Sequence, residues 1–391
     1  MFAAFKPARR FLKGAVLALA ALGTAACAPG ITTATGPSID TSKPVPVALL
    51  VPSGSDRSGD AVLAQSLENA ARLAISDLDG VDIDLRVYST QGNAGVAQQA
   101  AVKAVNDGAQ IILGPVFAEA ANAAGNAVAS RGINMLSFSN NTTIAGGNVF
   151  VLGPTFENTA DRLVGYAARQ GRDNIVVVHA ENVSGQLGRN AIQSAISRNG
   201  AQLAGTVPYE FSQQGVIAAA SEVRDMTRQT NANAVFLAAD TSGALPLFSQ
   251  MLPEAGISPE TTQFIGLTRW DIPAQTLELP GVQGGWFALP DPERNQQFQS
   301  RYARSYGGLP HPIAGLAYDG IAAIGALVKS GKRDALSASA LTQGAGFQGV
   351  NGVFRLRADG TNERGLAVAT IRDKKVVVLD PAPRSFRGFG S

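Results

Sequence analysis

One cysteine and two histidines are all that 391 residues offer to soft-metal and nucleophile chemistry. The lone Cys27 has no partner for an internal disulfide, which excludes a disulfide-stapled fold. His179 and His311 are too few for a multi-histidine metal site, and without a second thiolate a structural zinc is excluded. Charge and aromatics are scarce too, at 16% and 6% against 45% apolar residues, which excludes a disordered, charge-rich chain. The formal net charge of +2 comes from the front end, where residues 1–26 hold Lys6, Arg9, Arg10 and Lys13 and no acid; beyond them 28 basic residues face 30 acidic ones. No basic surface is left to attract a phosphate backbone, so nucleic acid is not an expected partner. Long hydrophobic runs are missing as well: Gly14–Leu22 is far short of the roughly 20 apolar residues a spanning helix requires.

Catalytic signatures are equally thin. The nucleophile elbow G-x-S-x-G is absent. Gly344-Ala-Gly346-Phe-Gln-Gly349 has the spacing of a dinucleotide fingerprint, but that motif needs a following helix to face pyrophosphate, and here the strand-like Val353-Phe-Arg-Leu356 follows. Gly331-Lys332-Arg333 lacks the upstream glycine and the Ser/Thr of a phosphate loop. His179 ends a run of valines and His311 lies between two prolines, settings that suit capped or half-exposed imidazoles better than a general base. No carboxylate pair stands out by spacing. The expectation is a protein that is not an enzyme and needs no cofactor.

The front end reads as an address. Four cations, a short apolar run and the small residues Gly23-Thr-Ala-Ala26 have the layout of a secretory signal peptide over residues 1–26. A cysteine directly after small residues resembles a bacterial lipobox, whose thiol is acylated, making Cys27 the lipidation candidate and lipid the membrane anchor. Thr24 stands where a lipobox usually carries Leu, so ordinary cleavage leaving a free thiol is the alternative. Ala28 follows in place of an acidic retention residue, which points to the outer membrane and a periplasmic body. Residues 27–44, rich in Pro, Gly, Thr and Ser, read as a flexible tether, and 383–391 as a mobile tail.

From Val45 short β-branched runs alternate with helical stretches. Val47-Ala-Leu-Leu-Val51 precedes Leu63, Leu67, Ala70 and Ala74 at helical spacing, and similar units continue to Met135-Leu-Ser137. A second series opens after Pro154 and runs to Gln263-Phe-Ile265. Repeated strand–helix units predict an α/β fold of two mainly parallel sheets flanked by helices. Ligands of such sheets bind beyond the carboxyl ends of the strands. In the first series those loops carry Ser53, Ser55, Phe117, Ser137, Phe138, Ser139 and Asn140; in the second they carry Glu181 and Asp240. Hydroxyls and amides suit a carboxylate or carbonyl, the two acids suit an ammonium, and the rings cover apolar surface.

With these residues in view the chain resembles the leucine-binding-protein family, the type I periplasmic solute-binding proteins of amino-acid and amide uptake. Ala71-Arg-Leu-Ala74, Ala109-Gln-Ile-Ile-Leu-Gly-Pro115, Ile133-Asn-Met-Leu-Ser-Phe-Ser139, Ala317-Tyr-Asp-Gly320 and Phe347-Gln-Gly-Val-Asn-Gly352 carry the resemblance. It implies two lobes joined by three hinge crossovers, assigned as 45–153 plus 280–330 and 154–279 plus 331–382. It adds Tyr318 to the ligand set and makes a small polar solute and a membrane permease the expected partners. Two departures bear on function: Phe117-Ala118 stands where the family usually offers a serine, and Ser184-Gly185 where it offers Tyr-Gly. In this the chain is also similar to the penicillin-binding protein activators, lipoproteins that dock on a peptidoglycan synthase.

Overall fold

The computed structural model describes Met1 and residues 36–241 and 243–386; the leader beyond Met1, Cys27, the tether through residue 35, Ser242 and residues 387–391 lie outside the described residues. The first sheet is built from β1 (Val45–Val51), β2 (Ile83–Ser89), β3 (Ile111–Leu113), β4 (Met135–Ser137) and β5 (Val149–Val151), linked in order by α1 (Asp60–Ser76), α2 (Ala94–Asn106) and α3 (Ala118–Val128). All its pairings are parallel, in the order β2-β1-β3-β4-β5. β1 is buried along nearly its whole length because both faces are covered, as a central parallel strand requires. Leu49, Leu63, Leu67 and Ala70 belong to the core on one face, and Ala48, Leu50, Ala101 and Ala121 to the core on the other.

The second sheet follows the same logic. After α4 (Phe156–Arg169) come β6 (Asn174–Ala180), α5 (Val183–Arg198), β7 (Gln202–Tyr209), α6 (Gln213–Thr230), β8 (Ala234–Leu237), α7 (Leu245–Glu254), β9 (Gln263–Gly266) and β10 (Trp286–Leu289). The chain then returns to the first lobe with α8 (Pro292–Tyr306), α9 (Gly315–Val328), α10 (Ala338–Leu341), β11 (Phe347–Gly349), β12 (Gly352–Leu356) and β13 (Asn362–Arg364), and ends in the second with β14 (Ala367–Arg372) and β15 (Lys375–Asp380). The seven strands run β15-β14-β10-β9-β8-β6-β7, with β14 and β15 antiparallel additions to a parallel set. Each lobe is thus a parallel-sheet body flanked by helices, the two-lobed type I arrangement.

The crossing points differ from the sequence assignment. Residues 286–289 pair with β9 and β14, so the chain remains in the second lobe past 280. Beyond 331, Leu341, Phe347, Phe354 and Leu356 still pack in the first lobe's core, and only from Leu366 do residues rejoin the second. Strand pairing and the apolar faces of β11 and β12 decide this, and neither is visible from chain order. The tether is also shorter than read: Ile39 is 5% exposed within the first core, its N–H donates to Arg333 C=O at 2.8 Å, and a side chain at Gly36 would start 2.4 Å from Leu336 O. One buried isoleucine is what docks residues 36–40. At the other end Phe386 lies against Arg355, whose guanidinium carbon is 4.7 Å from the ring centre, so the predicted tail is held up to that residue.

Three crossovers, after β5, after β10 and after β13, form the hinge, and one buried polar network ties them together. Arg364 donates to Leu152 C=O through Nε (2.9 Å) and Nη2 (2.6 Å) and to Asp319 Oδ2 through Nη1 (3.1 Å). Asn362 Nδ2 holds Val151 O and Gly153 O, each at 2.8 Å. From the second lobe, Asn158 on α4 donates to Asn362 Oδ1 and accepts from the Arg364 N–H, both at 2.8 Å. Asn351 donates to Asp319 Oδ2 at 3.1 Å and accepts from Asn295 of α8 at 3.2 Å, bringing in the middle crossover. The Arg364–Asp319 pair is 3% and 0% exposed; burial pushes the Asp319 carboxyl up, and Arg364 and Asn351 oppose that push.

Candidate functional site

The chain leaves the first sheet from the carboxyl end of β5 and the second from the carboxyl end of β10, so the carboxyl edges of both sheets flank the hinge. Every loop singled out from the sequence, Tyr318 aside, lies on one of these two edges.

On the first lobe the loops after β1, β2, β3 and β4 bind one another. Ser53 C=O accepts from Gln91 N at 3.2 Å and from the Ser89 hydroxyl. Ser55 Oγ accepts from Arg57 N at 3.1 Å. Gly114, at φ 84°, lets β3 pass so close to β1 that a side chain there would start 2.3 Å from Leu50 O. Phe117 is half-buried at the start of α3. Ser137 is fully buried, its hydroxyl donating to Pro115 O at 3.1 Å and accepting from Ser139 N at 3.2 Å. Ser139 is 4% exposed and accepts from Asn141 N at 3.1 Å, and Phe138 packs in the core. The two serines therefore serve the backbone of the loops after β3 and β4, which leaves Ser53, Ser55, Phe117 and the exposed Asn140 at the surface of this edge.

On the second lobe Glu181 and Asp240 are both exposed. Glu181 is fixed through its backbone N–H, which donates to Tyr209 O at 3.0 Å; Asp240 C=O accepts from Gly243 N (3.3 Å) and Leu245 N (3.1 Å), turning the chain into α7. Burial pushes the Tyr209 phenol up to about 12, and the Asp240 charge adds to it. Thr241 Oγ1 donates to Ile272 O at 2.8 Å and Thr268 Oγ1 to Ala239 O at 3.3 Å, so the loops after β8 and β9 brace each other.

Tyr318 is not brought to this set. Its hydroxyl donates to Asp77 Oδ2 at 2.5 Å, just past the C-terminal end of α1, whereas the strand-end loops precede that helix's first residue. At 1.5 Å per residue the 17-residue helix separates them by about 25 Å. Tyr318 instead lines a concavity of about 440 Å³ with Asp77, Arg301, Lys329 and Gln348 on the outer side of lobe 1, and burial with the Asp77 bond pushes its phenol up to about 12. His179 is buried with Nδ1 2.9 Å from Ala180 O, and His311 Nδ1 accepts from Ile313 N at 3.4 Å while its backbone N–H donates to Ser66 Oγ at 3.2 Å; among the described residues neither imidazole is bonded to a serine or threonine hydroxyl. Among the described residues no group of three or more His, Cys, Asp or Glu is placed to hold a metal ion, and no helix is long and apolar enough to cross a membrane.

Sequence reasoning missed Asp60, Arg57 and Gly92 on lobe 1 and Phe211 on lobe 2. Asp60 is 7% exposed at the first position of α1, and its Oδ2 is shut off from solvent without a hydrogen-bond partner. A side chain at Gly92 would start 3.2 Å from a Phe117 ring carbon and 3.3 Å from both Asp60 Oδ2 and Ser55 Oγ, so three loops converge on this glycine. The Arg57 guanidinium carbon lies 4.8 Å from the Phe117 ring centre. Phe211 stands 63% exposed beside Gly243. The available signal was an acid in a helix's first turn, which reads as a partner for the helix dipole and nothing more.

Solved structures share this architecture. An ABC transporter substrate-binding protein from Desulfitobacterium hafniense in complex with Leu is 19% identical, with a TM-score of 0.65 over 86% of this chain and 100% of that one. A branched-chain amino acid ABC transporter periplasmic ligand-binding protein from Burkholderia xenovorans is 18% identical (TM-score 0.68; 87% and 96% covered). A solute-binding protein from R. palustris in complex with benzoate is 17% identical (TM-score 0.58; 88% and 97% covered). At such identities the likeness speaks for the fold alone. No curated protein sequence matches significantly. The sequence profile of the periplasmic binding proteins matches residues 44–375, nearly the whole described body with both lobes and the hinge, and the chain belongs to the periplasmic binding protein family.

Proposed function

We propose that the protein captures a small polar solute, amino-acid or amide-like, between its lobes and presents it to a membrane permease, without catalysing a reaction. The observation that carries this is the pairing of two strand-end loop sets across a three-stranded hinge, one offering Ser53, Ser55, Phe117 and Asn140, the other Glu181 and Asp240. A solute touching both sets favours the shut arrangement by its differential affinity. A periplasmic location follows from family membership. We assign the anchor to acylated Cys27 and its membrane to the outer one; labelling with an alkyne fatty acid tests this, with incorporation lost in Cys27→Ala. Calorimetric titration with a panel of amino acids and amides tests capture: saturable binding weakened by Asp240→Asn supports it, and silence across the panel contradicts it.

A second reading, docking on a peptidoglycan synthase, is favoured by one observation: the Ser137 hydroxyl is bonded to Pro115 O and Ser139 N, and Ser139 Oγ accepts from Asn141 N, so both are buried against backbone. Pull-down against the bacterium's synthases decides it, with enrichment over an unrelated lipoprotein expected and its absence removing the reading.

A further inference from the structure

We infer that the interlobe loops select solutes of net positive charge, carried on an ammonium or guanidinium nitrogen, and that Arg57 holds the place of that cation on Phe117 until a solute displaces it. This rests on the solute-capture reading and adds the charge of the solute.

The first support is Asp60. A carboxylate 7% exposed, with Oδ2 closed to solvent and unpartnered, is an expensive group to bury. It converges with the Ser55 hydroxyl and the Phe117 ring on the bare face of Gly92, and so supplies a charge and an aromatic platform at one spot on the ligand-binding edge. The second support is what already lies on that platform: the exposed loop between β1 and α1 folds back and lays a guanidinium 4.8 Å from the ring centre, a cation–π contact. Arg57 has no ion pair among the described residues, so displacing it breaks no salt bridge.

The third support is the surrounding field. Asp56, Glu119, Glu181, Glu210 and Asp240 stand on the strand-end loops of the two lobes, against Arg57 and an Arg269 already bonded to Asp271 (Nε to Oδ1, 2.9 Å). An acid-lined opening raises the local concentration of cations and repels a solute whose only charge is a carboxylate. Benzoate, the ligand of the R. palustris protein, is such a solute. The chemistry that fits here is a primary ammonium or guanidinium on a short apolar stem that lies on Phe117.

Calorimetry on the mature chain with arginine, agmatine and putrescine, set against leucine and benzoate, tests the inference. The expected result is cation binding at least tenfold tighter than leucine or benzoate, weakened about tenfold by Asp60→Asn and by Phe117→Leu, and tightened in Arg57→Ala. Circular dichroism melts check that the variants fold, and the two weakening variants serve as independent probes. Binding of leucine or benzoate without any cation overturns the charge selection and leaves solute capture standing. Cation affinity indifferent to both Asp60→Asn and Phe117→Leu also overturns it. Silence toward all five probes counts against both.

Discussion

The two strand-end edges are built from similar alternations of strand and helix, yet they are finished differently. On the first lobe Ser137, Ser139 and the backbone around Gly114 and Pro115 hydrogen-bond inward, so that edge is set before any ligand arrives. On the second, Glu181, Glu210 and Phe211 stand exposed, held mainly through their backbones. The contrast teaches that the hydroxyls of one loop can be spent on holding backbone, while acidic side chains at the corresponding edge of the other sheet stay at the surface.

The largest effect comes from breaking the hinge that holds these edges together. Arg364→Ala takes the ion-pair partner from Asp319 in the core and frees Leu152 O, and is expected to cost about 3–5 kcal/mol in thermal or denaturant unfolding. A variant with unchanged stability would mean that the network is not what joins the lobes. Next comes Ser137→Ala, which strips two hydrogen bonds from a fully buried position. It should lower stability by about 1–3 kcal/mol, read by denaturant titration. If stability holds and solute affinity falls instead, the first edge is a contact surface like the second, and the contrast fails.

Acid sharpens the comparison further. Burial holds the His311 imidazole below its usual 6.5, and its backbone N–H is bonded to Ser66 of α1 at 3.2 Å. Between that lowered value and 6.5 the unfolded chain binds more protons than the folded one, so stability is fully present above about pH 6.5 and is lost as pH falls through this window. Hydrogen-exchange protection of α1 and α9 should decline there ahead of the second lobe's helices; a uniform decline would contradict it. The smallest stability effect is expected of Glu181→Gln, within about 0.5 kcal/mol of wild type, because the side chain is exposed. Its consequence should appear in solute affinity alone.

Much of this was legible in the sequence. Strands with four or more apolar residues and the amphipathic helices between them announced themselves, and the expected face of α1, with Leu63, Leu67, Ala70 and Ala74, is the buried one. The three-residue β5 is too short to show a period. Hinge crossings went astray because β10 and β14 join the same sheet from far apart in sequence, a pairing no local pattern encodes. Within the strand-end loops, residue type did not show which way each side chain turns. Ser137 and Asn140 read alike, and one is buried while the other faces water. Tyr318 sits in α9, apolar on nearly every face, where spacing does not tell which side meets a ligand and which meets Asp77.

The central claim is that two hinged lobes close on a solute held between their strand-end loops. Small-angle X-ray scattering of the mature protein, free and saturated with the solute that calorimetry identifies, tests it most directly. The account predicts a smaller radius of gyration in the saturated protein, and one that stays the same at full saturation would contradict it.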